Sequence, residues 1–388
     1  MPQQEKRIAV LGSTGSIGRS ALEVIEASEG TLCAVALSAR RNVELLAEQC
    51  RKLQPRWAIV ADPEAAKRLD RSQLPRETEL LVGQDALLKI AAEPDVDIVL
   101  SAIVGSAGLQ STLAALEAGK TVALANKESL VAGGALVNRA AQENGGRILP
   151  VDSEHSAVFQ CLQAGRRDEL KKVILTASGG PFRTRSLEEL ADVTVEEALD
   201  HPTWNMGPKV TIDSATLMNK ALEIIEARWL FDLREDQIGA VLHPQSIVHS
   251  LVEFIDGSVI AQMSPPDMRL PIQYALDWPE RREGVARRFD WTRDHRLDFE
   301  TPDLDRFDAL ALGMETARNG GTCGVVLNAA NETAVEAFLE RRLGFHEIVP
   351  TCRSIMNCHE FEENPSLDRL LQLDLWARRE VMRCIHAD

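Results

Sequence analysis

The sequence predicts an α/β protein in three parts: a doubly wound parallel sheet at residues 1–150, a mixed α+β part at 151–290, and a linker with a helical bundle at 291–388. Three observations support this prediction. Short apolar runs alternate with helical patterns early in the chain, as in parallel sheets with crossover helices. Two apolar runs joined at Asp256-Gly257 predict a β-hairpin. Later amphipathic patterns predict helices near 305–319, 326–342, 346–358 and 366–385.

Composition narrows the class of protein. The 388 residues are 45% hydrophobic and 26% charged, which is typical of soluble folded chains. No apolar run approaches the roughly 18 residues of a membrane span, so we expect no membrane partner. The formal charge of −16 argues against a nucleic-acid surface, because binding many phosphates requires a basic stripe.

Cysteine usage and the N-terminus predict the cellular compartment. The seven cysteines are scattered and odd in number, and they lack both the density of a disulfide framework and paired zinc spacing. Lys6-Arg7 leads directly into a strand pattern, which leaves no room for a signal peptide. We therefore expect a cytoplasmic protein in a reducing environment.

The first strand pattern, Ile8–Leu11, is followed by a glycine-rich segment at 12–18 and then by a helical pattern. In a Rossmann-like unit such glycines let the backbone approach a pyrophosphate at a helix N-terminus. The spacing is GxxGxxG rather than GxGxxG, so a simple tight turn is the alternative. The strand pattern Leu32–Leu37 leads to Arg40 and Arg41, where an NAD site usually has a carboxylate, and this favours NADP.

Further strand patterns at Trp57–Val60, Val96–Ser101 and Thr121–Ala125 continue the predicted parallel sheet. Ligands of such sheets bind beyond the carboxyl ends of the strands. The polar segment 126–128 follows the last of these patterns and is a candidate site. A solvated polar turn is the alternative.

Two carboxylates, Asp152 and Glu154, follow the apolar run at 148–151. In an extended segment, residues two apart point to the same side. With Glu223 they would supply three oxygen donors, a set that suits Mg²⁺ or Mn²⁺. A polar strand end with one capping aspartate is the alternative.

The segment 201–223 begins as a loop with proline and glycine, which is the end of a predicted lid at 183–208, and then leads into a helix. Helical spacing of apolar residues predicts that this helix extends over 214–231. A neighbouring face of the helix would then present an amide, an ammonium and a carboxylate, from Asn219, Lys220 and Glu223. An amphipathic helix with a solvated polar face is the alternative.

Two hydroxyls are candidates for binding an anion. Ser214 would lie near the N-terminus of the predicted helix, where backbone N–H groups are unpaired. Ser178 follows the strand pattern Lys172–Thr176, in a glycine-containing turn that can form an anion nest. Together the two serines could bind one phosphate from two sides.

The predicted hairpin, with strands at 247–255 and 258–263, is apolar on both faces. Such strands need cover, and a second subunit would provide it, which predicts a homodimer through the central sheet. His243, in the stretch 241–244 before the hairpin, and His249, in its first strand, are interpreted as packed structural histidines.

Seven segments together resemble the 1-deoxy-D-xylulose 5-phosphate reductoisomerase family. They are GSTGSIG at 12–18, ANKESLV at 125–131, VDSEHSA at 151–157, ASGGPF at 177–182, the whole stretch 201–223, HPQSIVHS at 243–250 and LNAANE at 327–332. The resemblance implies isomerisation and reduction of 1-deoxy-D-xylulose 5-phosphate to 2-C-methyl-D-erythritol 4-phosphate, a step of non-mevalonate isoprenoid biosynthesis. It also implies NADPH and one divalent cation per active site. A retro-aldol and a concerted rearrangement both stay open, as does the identity of the general base.

The resemblance implies roles for individual residues. The implied metal ligands are Asp152, Glu154 and Glu223, and the implied catalytic residues are these three with Lys127 and His201. The implied substrate-binding residues are Lys127, Ser153, Glu154, Ser178, His201, Trp204, Ser214, Asn219, Lys220 and Glu223. The implied NADPH-binding residues are Thr14, Gly15, Ser16, Ile17, Arg40, Arg41, Asn42, Asn126, Glu128 and Gly207. Many members carry glycine where this chain has Arg40, so the individual roles of the two arginines stay open.

Two other classes of protein remain as alternatives. A semialdehyde dehydrogenase also begins with a GxxGxxG loop but needs a thiolate nucleophile. Cys161 is the only cysteine of the middle part, and it has no obvious histidine partner nearby in sequence. A non-catalytic NADP-sensing protein would need no cluster of carboxylates.

Overall fold

The computed structural model describes residues 5–204, 206–304 and 306–387. The described residues form two compact units. The first unit contains residues up to 129 together with 137–156 and 267–287, and the second contains 130–136, 157–266 and the residues from 288 onward. The predicted domain boundaries near 150 and 290 stay predictions.

The first unit is built on a seven-stranded parallel sheet. Its strands are β1 Lys6–Leu11, β2 Leu32–Ala39, β3 Trp57–Val60, β4 Glu79–Val82, β5 Ile98–Ser101, β6 Thr121–Leu124 and β7 Arg147–Pro150. They lie in the order β4-β3-β2-β1-β5-β6-β7, which confirms the predicted Rossmann-like doubly wound sheet. Because β1 pairs with both β2 and β5, the strand order reverses there, and such sheets bind ligands at that point.

The second unit contains a four-stranded mixed sheet. Its strands are β8 Leu170–Ala177, β9 Ile238–Leu242, β10 Val248–Phe254 and β11 Val259–Met263, in the order β11-β10-β8-β9. β10 and β11 are antiparallel neighbours, so the predicted hairpin is confirmed. His243 and His249 are both buried, and the His243 Nε2 accepts the backbone N–H of Val248 at 3.1 Å, as expected for structural histidines.

Sixteen α-helices lie within the described part of the chain. They are α1 Ser16–Glu26, α2 Val43–Leu53, α3 Pro63–Ala66, α4 Gln84–Ala91, α5 Leu109–Glu117, α6 Lys127–Asn144, α7 Ser153–Cys161, α8 Leu187–Leu190, α9 Val195–Leu199, α10 Pro208–Ala215, α11 Met218–Phe231, α12 Arg269–Asp277, α13 Asp308–Asn319, α14 Cys323–Leu339, α15 Ile348–Cys358 and α16 Leu367–Ala387. Helices α13 to α16 confirm the predicted C-terminal bundle, although Asp305, where that prediction begins, lies outside the described residues. In the described ranges, no helix combines the length and apolar character that crossing a membrane requires.

The prediction of one continuous helix over 214–231 is wrong. Leu217 adopts a left-handed backbone conformation with φ of 60°, and this residue separates α10 from α11. Ser214 therefore lies near the C-terminal end of α10, not at a helix N-terminus. Asn219 and Lys220 instead occupy the first turn of α11.

The prediction that Asp152 and Glu154 lie in an extended segment is also wrong. Helix α7 begins at Ser153, and the backbone carbonyl of Asp152 accepts the N–H of Ser156 at 2.8 Å. Asp152 thus immediately precedes the helix and Glu154 lies in its first turn. The two carboxylates are neighbours because a helix starts between them, not because residues two apart in a strand point to the same side.

Candidate functional site

The glycine loop packs tightly against the sheet of the first unit. A Cβ atom on Gly12, whose φ is +92°, would lie 2.5 Å from the carbonyl oxygen of Ala102, and one on Gly18 would lie 2.3 Å from that of Gly12. Gly15 is the N-cap of α1, and no described side chain caps that helix. The N-terminal N–H groups of α1 therefore form the kind of site that binds a pyrophosphate, as expected for a dinucleotide-binding unit.

The two arginines expected to select the cofactor follow β2. Arg41 is 71% exposed at its side chain, and its Nε lies 3.2 Å from the Asp62 carboxylate. Asn42 caps α2 by accepting the backbone N–H of Leu45 at 3.2 Å. An exposed guanidinium oriented by an aspartate is suited to a phosphate that arrives from solvent.

The double variant Arg40→Asp/Arg41→Ala is expected to narrow the preference for NADPH over NADH by about 100-fold, because charge-assisted hydrogen bonds to the 2′-phosphate are lost. The measurement is kcat/KM for both cofactors. Arg56→Ala is the control, because this arginine precedes β3 at the other end of the strands and should leave the ratio unchanged. Equal use of NADPH and NADH by the parent protein would refute the assignment.

Asn126 organises the loop that follows β5. Its Nδ2 donates to the carbonyls of Ile103 at 2.5 Å and Gly105 at 2.9 Å, and to the Glu128 carboxylate at 3.0 Å. Its Oδ1 accepts the N–H of Ser129 at 3.0 Å and so caps α6. The polar segment 126–128 is thus the start of a helix rather than the solvated turn of the alternative, and Asn126 holds the adjacent loop at the carboxyl edge of the sheet.

The first unit brings Asp152 and Lys127 together as an ion pair. Burial opposes ionisation of Asp152, but the charges of Lys127 and His155 outweigh it and hold the pKa of this carboxyl well below its usual range. The adjacent Ser153 Oγ donates to Glu154 at 2.5 Å. An ionised carboxylate next to a second one offers the hard oxygen donors that Mg²⁺ and Mn²⁺ prefer, so these residues fit a divalent cation.

The second unit contains the third predicted metal ligand, Glu223, which is buried on α11. Within that unit its carboxylate accepts the Asn219 Nδ2 at 2.6 Å and pairs with the Lys220 ammonium. The prediction that these three side chains share one helix face is confirmed. The face offers an ammonium, an amide and a carboxylate within one turn.

His201 lies between the two predicted phosphate-binding serines. Its Nε2 is 3.1 Å from the Ser178 Oγ and 3.1 Å from the Ser214 Oγ. A Cβ on Gly180 would lie 2.7 Å from the Ser214 carbonyl oxygen, so the turn after β8 packs directly on the end of α10. We call Ser178, His201 and Ser214 the hydroxyl cluster.

The protonation of His201 follows from its surroundings. Burial lowers its pKa, which favours the neutral imidazole. Its Nδ1 accepts the backbone N–H of Trp204 at 2.9 Å, so the ring proton is on Nε2. The hydroxyl cluster therefore presents an N–H donor together with two hydroxyls.

Three family models match most of the chain. The model for 1-deoxy-D-xylulose 5-phosphate reductoisomerase matches residues 8–134, that for its C-terminal domain matches 148–231, and that for the DXP reductoisomerase C-terminal domain matches 263–380.

The chain belongs to the 1-deoxy-D-xylulose 5-phosphate reductoisomerase family.

Relatives and solved structures agree with this membership. The reductoisomerase of Heliobacterium modesticaldum is 54% identical over 376 residues, which covers 96% of both chains. That of Chlorobium chlorochromatii is 51% identical and covers 96% of this chain and 98% of the relative. The reductoisomerase family thereby confirms the predicted enzyme class, an NADP-dependent oxidoreductase, and the predicted fold.

Two solved reductoisomerase structures are similar over almost the whole chain. The Zymomonas mobilis structure, in complex with NADPH, is 44% identical with a TM-score of 0.92 and covers 98% of this chain and 99% of that one. A second, in complex with NADPH, fosmidomycin and magnesium, is 41% identical with a TM-score of 0.92 and covers 98% of both chains.

Cys161 does not have the properties of a dehydrogenase nucleophile. It is buried, and burial raises the pKa of its thiol to about 11. A catalytic cysteine needs a thiolate near neutral pH. This observation agrees with reductoisomerase membership and argues against the semialdehyde dehydrogenase alternative.

The segment predicted as a lid, 183–208, is partly helical, and Asn205 within it lies outside the described residues. Helix α8 has a capping box with Ser186, and α9 has one with Thr194. Trp204 is half-buried, with its ring centroid 6.2 Å from that of His249. Gly207, the predicted cofactor contact outside the first unit, is the N-cap of α10.

Trp204→Ala is expected to raise KM for the sugar phosphate by about 10-fold or more and to change KM for NADPH by less than about twofold, because the indole would cover the sugar. Trp291→Ala is the control, since Trp291 is 76% exposed and outside the predicted site. Indole fluorescence should change on adding a phosphonate analogue with metal in the parent but not in Trp204→Ala. A kinetically silent Trp204→Ala would show that the lid has been misplaced.

Sequence reasoning missed one buried polar group close to the hydroxyl cluster. Asp213 lies on α10, with one carboxylate oxygen 2.7 Å from the Lys209 Nζ and the other 2.8 Å from the Asn331 Nδ2 of α14. Lys209 and Asp213 are four residues apart, and this spacing predicts an ion pair on one face of a helix. Nothing in the sequence indicates the partner on α14.

Proposed function

We propose that the chain converts 1-deoxy-D-xylulose 5-phosphate into 2-C-methyl-D-erythritol 4-phosphate, using NADPH and one divalent cation, Mg²⁺ or Mn²⁺, per active site. Membership of the reductoisomerase family supports the reaction. The observation that carries the proposal within this structure is the hydroxyl cluster, in which His201 presents an N–H between two hydroxyls. That arrangement suits a substrate with a phosphate group.

The proposed metal ligands are Asp152, Glu154 and Glu223. When bound, the cation would polarise the carbonyl of the substrate, and NADPH would supply the hydride. Lys127 neutralises the charge of Asp152, and it would also donate to a substrate hydroxyl, together with Ser153. This combination of hard anions and one ammonium binds the sugar close to the cation.

The phosphate end of the substrate is proposed to bind within the second unit. The ligands are Ser178, Ser214, Asn219 and Lys220, and His201 would donate its Nε2 proton to a substrate oxygen beside them. None of the described side chains caps α11, so its N-terminal N–H groups add to the positive potential next to Lys220.

The proposed NADPH site uses the N-terminus of α1 for the pyrophosphate and the exposed arginines after β2 for the 2′-phosphate. Trp204 would cover the sugar. The proposed cofactor contacts are Thr14, Gly15, Ser16, Ile17, Arg40, Arg41, Asn42, Asn126, Glu128 and Gly207.

We also propose a cytoplasmic homodimer that binds no nucleic acid. The edge strand β11 exposes Val259 and Ile260, and an exposed apolar edge needs cover from another chain. The formal charge of −16 disfavours binding to a polyanion.

The test is to identify the product. The purified chain is incubated with 1-deoxy-D-xylulose 5-phosphate, NADPH and Mg²⁺, and the carbon skeleton is followed by NMR. We expect a branched skeleton with a methyl group on a quaternary carbon, and no product without NADPH. A reduced but unbranched sugar phosphate would show a plain reductase and would contradict the proposal.

A further inference from the structure

The carboxylate of Asp213 is almost completely removed from solvent, with a relative exposure of 1%. A buried carboxylate is stable only with hydrogen-bonding partners that compensate for lost hydration. Lys209 supplies one partner from the same helix, and Asn331 supplies another from α14. Asn331 has a relative exposure of 0%, so both partners of this second bond are held in the packed interior.

The bond joins α14 to the helix that carries Ser214. Ser214 directly follows Asp213, and a Cβ on Gly180 would lie 2.9 Å from the Cα of Ala215. The end of α10 is therefore in direct backbone contact with the turn that carries Ser178. Any shift of α10 would change the 3.1 Å distance between the Ser214 Oγ and the His201 Nε2.

The amide of Asn331 serves chiefly as a donor. Its Nδ2 bonds Asp213, and among the described residues no donor reaches its Oδ1 within hydrogen-bond distance. The amide thus leaves one buried oxygen unsatisfied, which destabilises the fold.

We propose that Asn331 is a positioning residue for the phosphate-binding end of the active site. Through Asp213 it holds α10 so that Ser214 stays in register with His201 and Ser178. The inference rests on the proposed function, because it assigns the hydroxyl cluster to the substrate phosphate. It gives the LNAANE segment, which is otherwise without a role, a specific function through one of its two asparagines.

Asn328 provides a matched control on the same helix. It also has a relative exposure of 0%, and its Nδ2 donates to a carboxylate, that of Glu332, at 2.9 Å. Glu332 pairs with Arg378 of α16 at 2.5 Å. Changing Asn328 to Asp therefore creates a similar buried repulsion, but against a carboxylate of the helical bundle rather than of α10.

The experiment compares Asn331→Asp with Asn328→Asp. In Asn331→Asp the amide that donates to Asp213 is replaced by a second carboxylate, which repels Asp213 at a pH where both groups are ionised, and we expect α10 to shift at such a pH. We expect KM for 1-deoxy-D-xylulose 5-phosphate to rise about 10-fold or more, with kcat within about threefold and KM for NADPH unchanged. Asn328→Asp should lose a similar amount of thermal stability and keep KM for the sugar phosphate within about twofold. Equal KM values in the two variants would overturn the inference.

A second variant keeps the test decisive if Asn331→Asp folds poorly. The exchange Asp213→Asn/Asn331→Asp restores an amide facing a carboxylate, so we expect it to fold and to bring KM to within about threefold of the parent value. If this exchange folds but keeps the raised KM, then loss of the bond between the two side chains is not what raises KM, and the inference is wrong.

Binding of inorganic phosphate, followed by ³¹P NMR, separates this inference from the proposed function because it needs no turnover. We expect Asn331→Asp to bind phosphate about 10-fold more weakly than Asn328→Asp. A parent chain that binds phosphate but does not turn over the sugar phosphate would contradict the proposed function alone. Equal phosphate affinities in the two variants, or a parent that binds no phosphate at millimolar concentration, would overturn the inference.

Discussion

Glu223→Gln is expected to lower kcat by about 100-fold or more and to raise the metal concentration needed for half-maximal rate by about 10-fold or more. The substitution keeps the shape of the side chain but removes one anionic oxygen donor from a site for a hard cation. It also removes the charge that pairs with Lys220 within the buried first turns of α11. The effect should be large because no water can easily replace a carboxylate in so buried a position.

The measurement is the rate of NADPH oxidation as Mg²⁺ is titrated into the metal-free protein. Glu332→Gln serves as the control, because it removes a carboxylate that pairs with Arg378 outside the predicted site. The control should titrate with Mg²⁺ as the parent does. A metal titration of Glu223→Gln that coincides with that of the parent would remove Glu223 from the ligand set.

Lys220→Met is expected to reduce kcat/KM for 1-deoxy-D-xylulose 5-phosphate by about 100-fold or more. The ammonium is buried and lies in the first turn of α11, where it would bind the substrate phosphate by charge-assisted hydrogen bonds. Removing one partner of a buried charge pair typically weakens binding by about 2–5 kcal/mol. A weakening of this size is consistent with the expected loss of kcat/KM.

A substrate without the phosphate distinguishes this role from a general structural one. With 1-deoxy-D-xylulose, which has no phosphate to bind, the parent and Lys220→Met should have similar kcat/KM values. The loss should therefore be confined to the phosphorylated substrate. If Lys220→Met slows both substrates by the same factor, the lysine supports Glu223 or the fold and does not bind phosphate.

The sheets could be predicted from the sequence because their signals are local. Buried parallel strands appear as short apolar runs, and Asp256-Gly257 marks the tight turn between β10 and β11. Strand β4, at Glu79–Val82, was not predicted. It lies at the sheet edge, and its residues are only partly buried or exposed. Its apolar run, Leu80-Leu81-Val82, is shorter than the runs that identified the central strands.

The break between α10 and α11 could not be predicted from periodicity. The left-handed conformation at Leu217 is unusual for a residue other than glycine and has no local sequence signal. The apolar spacing continues through the break, so it predicted one helix and placed Ser214 at the wrong helix end. The end of α10 also packs against the turn at Gly180, a contact between segments that are distant in sequence.

The chemistry of the site was predicted in part from residue types and in part from the family resemblance. Carboxylates and lysines indicated a metal and a phosphate, but only the resemblance chose among the alternatives. Asn331 and Asp213, which are 118 residues apart, form a contact that neither the residue types nor the family resemblance indicated. A helical pattern indicates that a residue is buried and does not tell which distant side chain it meets.

Turnover by the parent chain is expected to depend on a divalent cation. NADPH oxidation is recorded with 1-deoxy-D-xylulose 5-phosphate and the parent chain, first with Mg²⁺, then with excess chelator, and finally with Mg²⁺ restored. We expect turnover to stop on chelation and to return with the metal, because the proposed reaction needs a cation held by Asp152, Glu154 and Glu223. Turnover that continues unchanged in the presence of the chelator would contradict the metal-centred account.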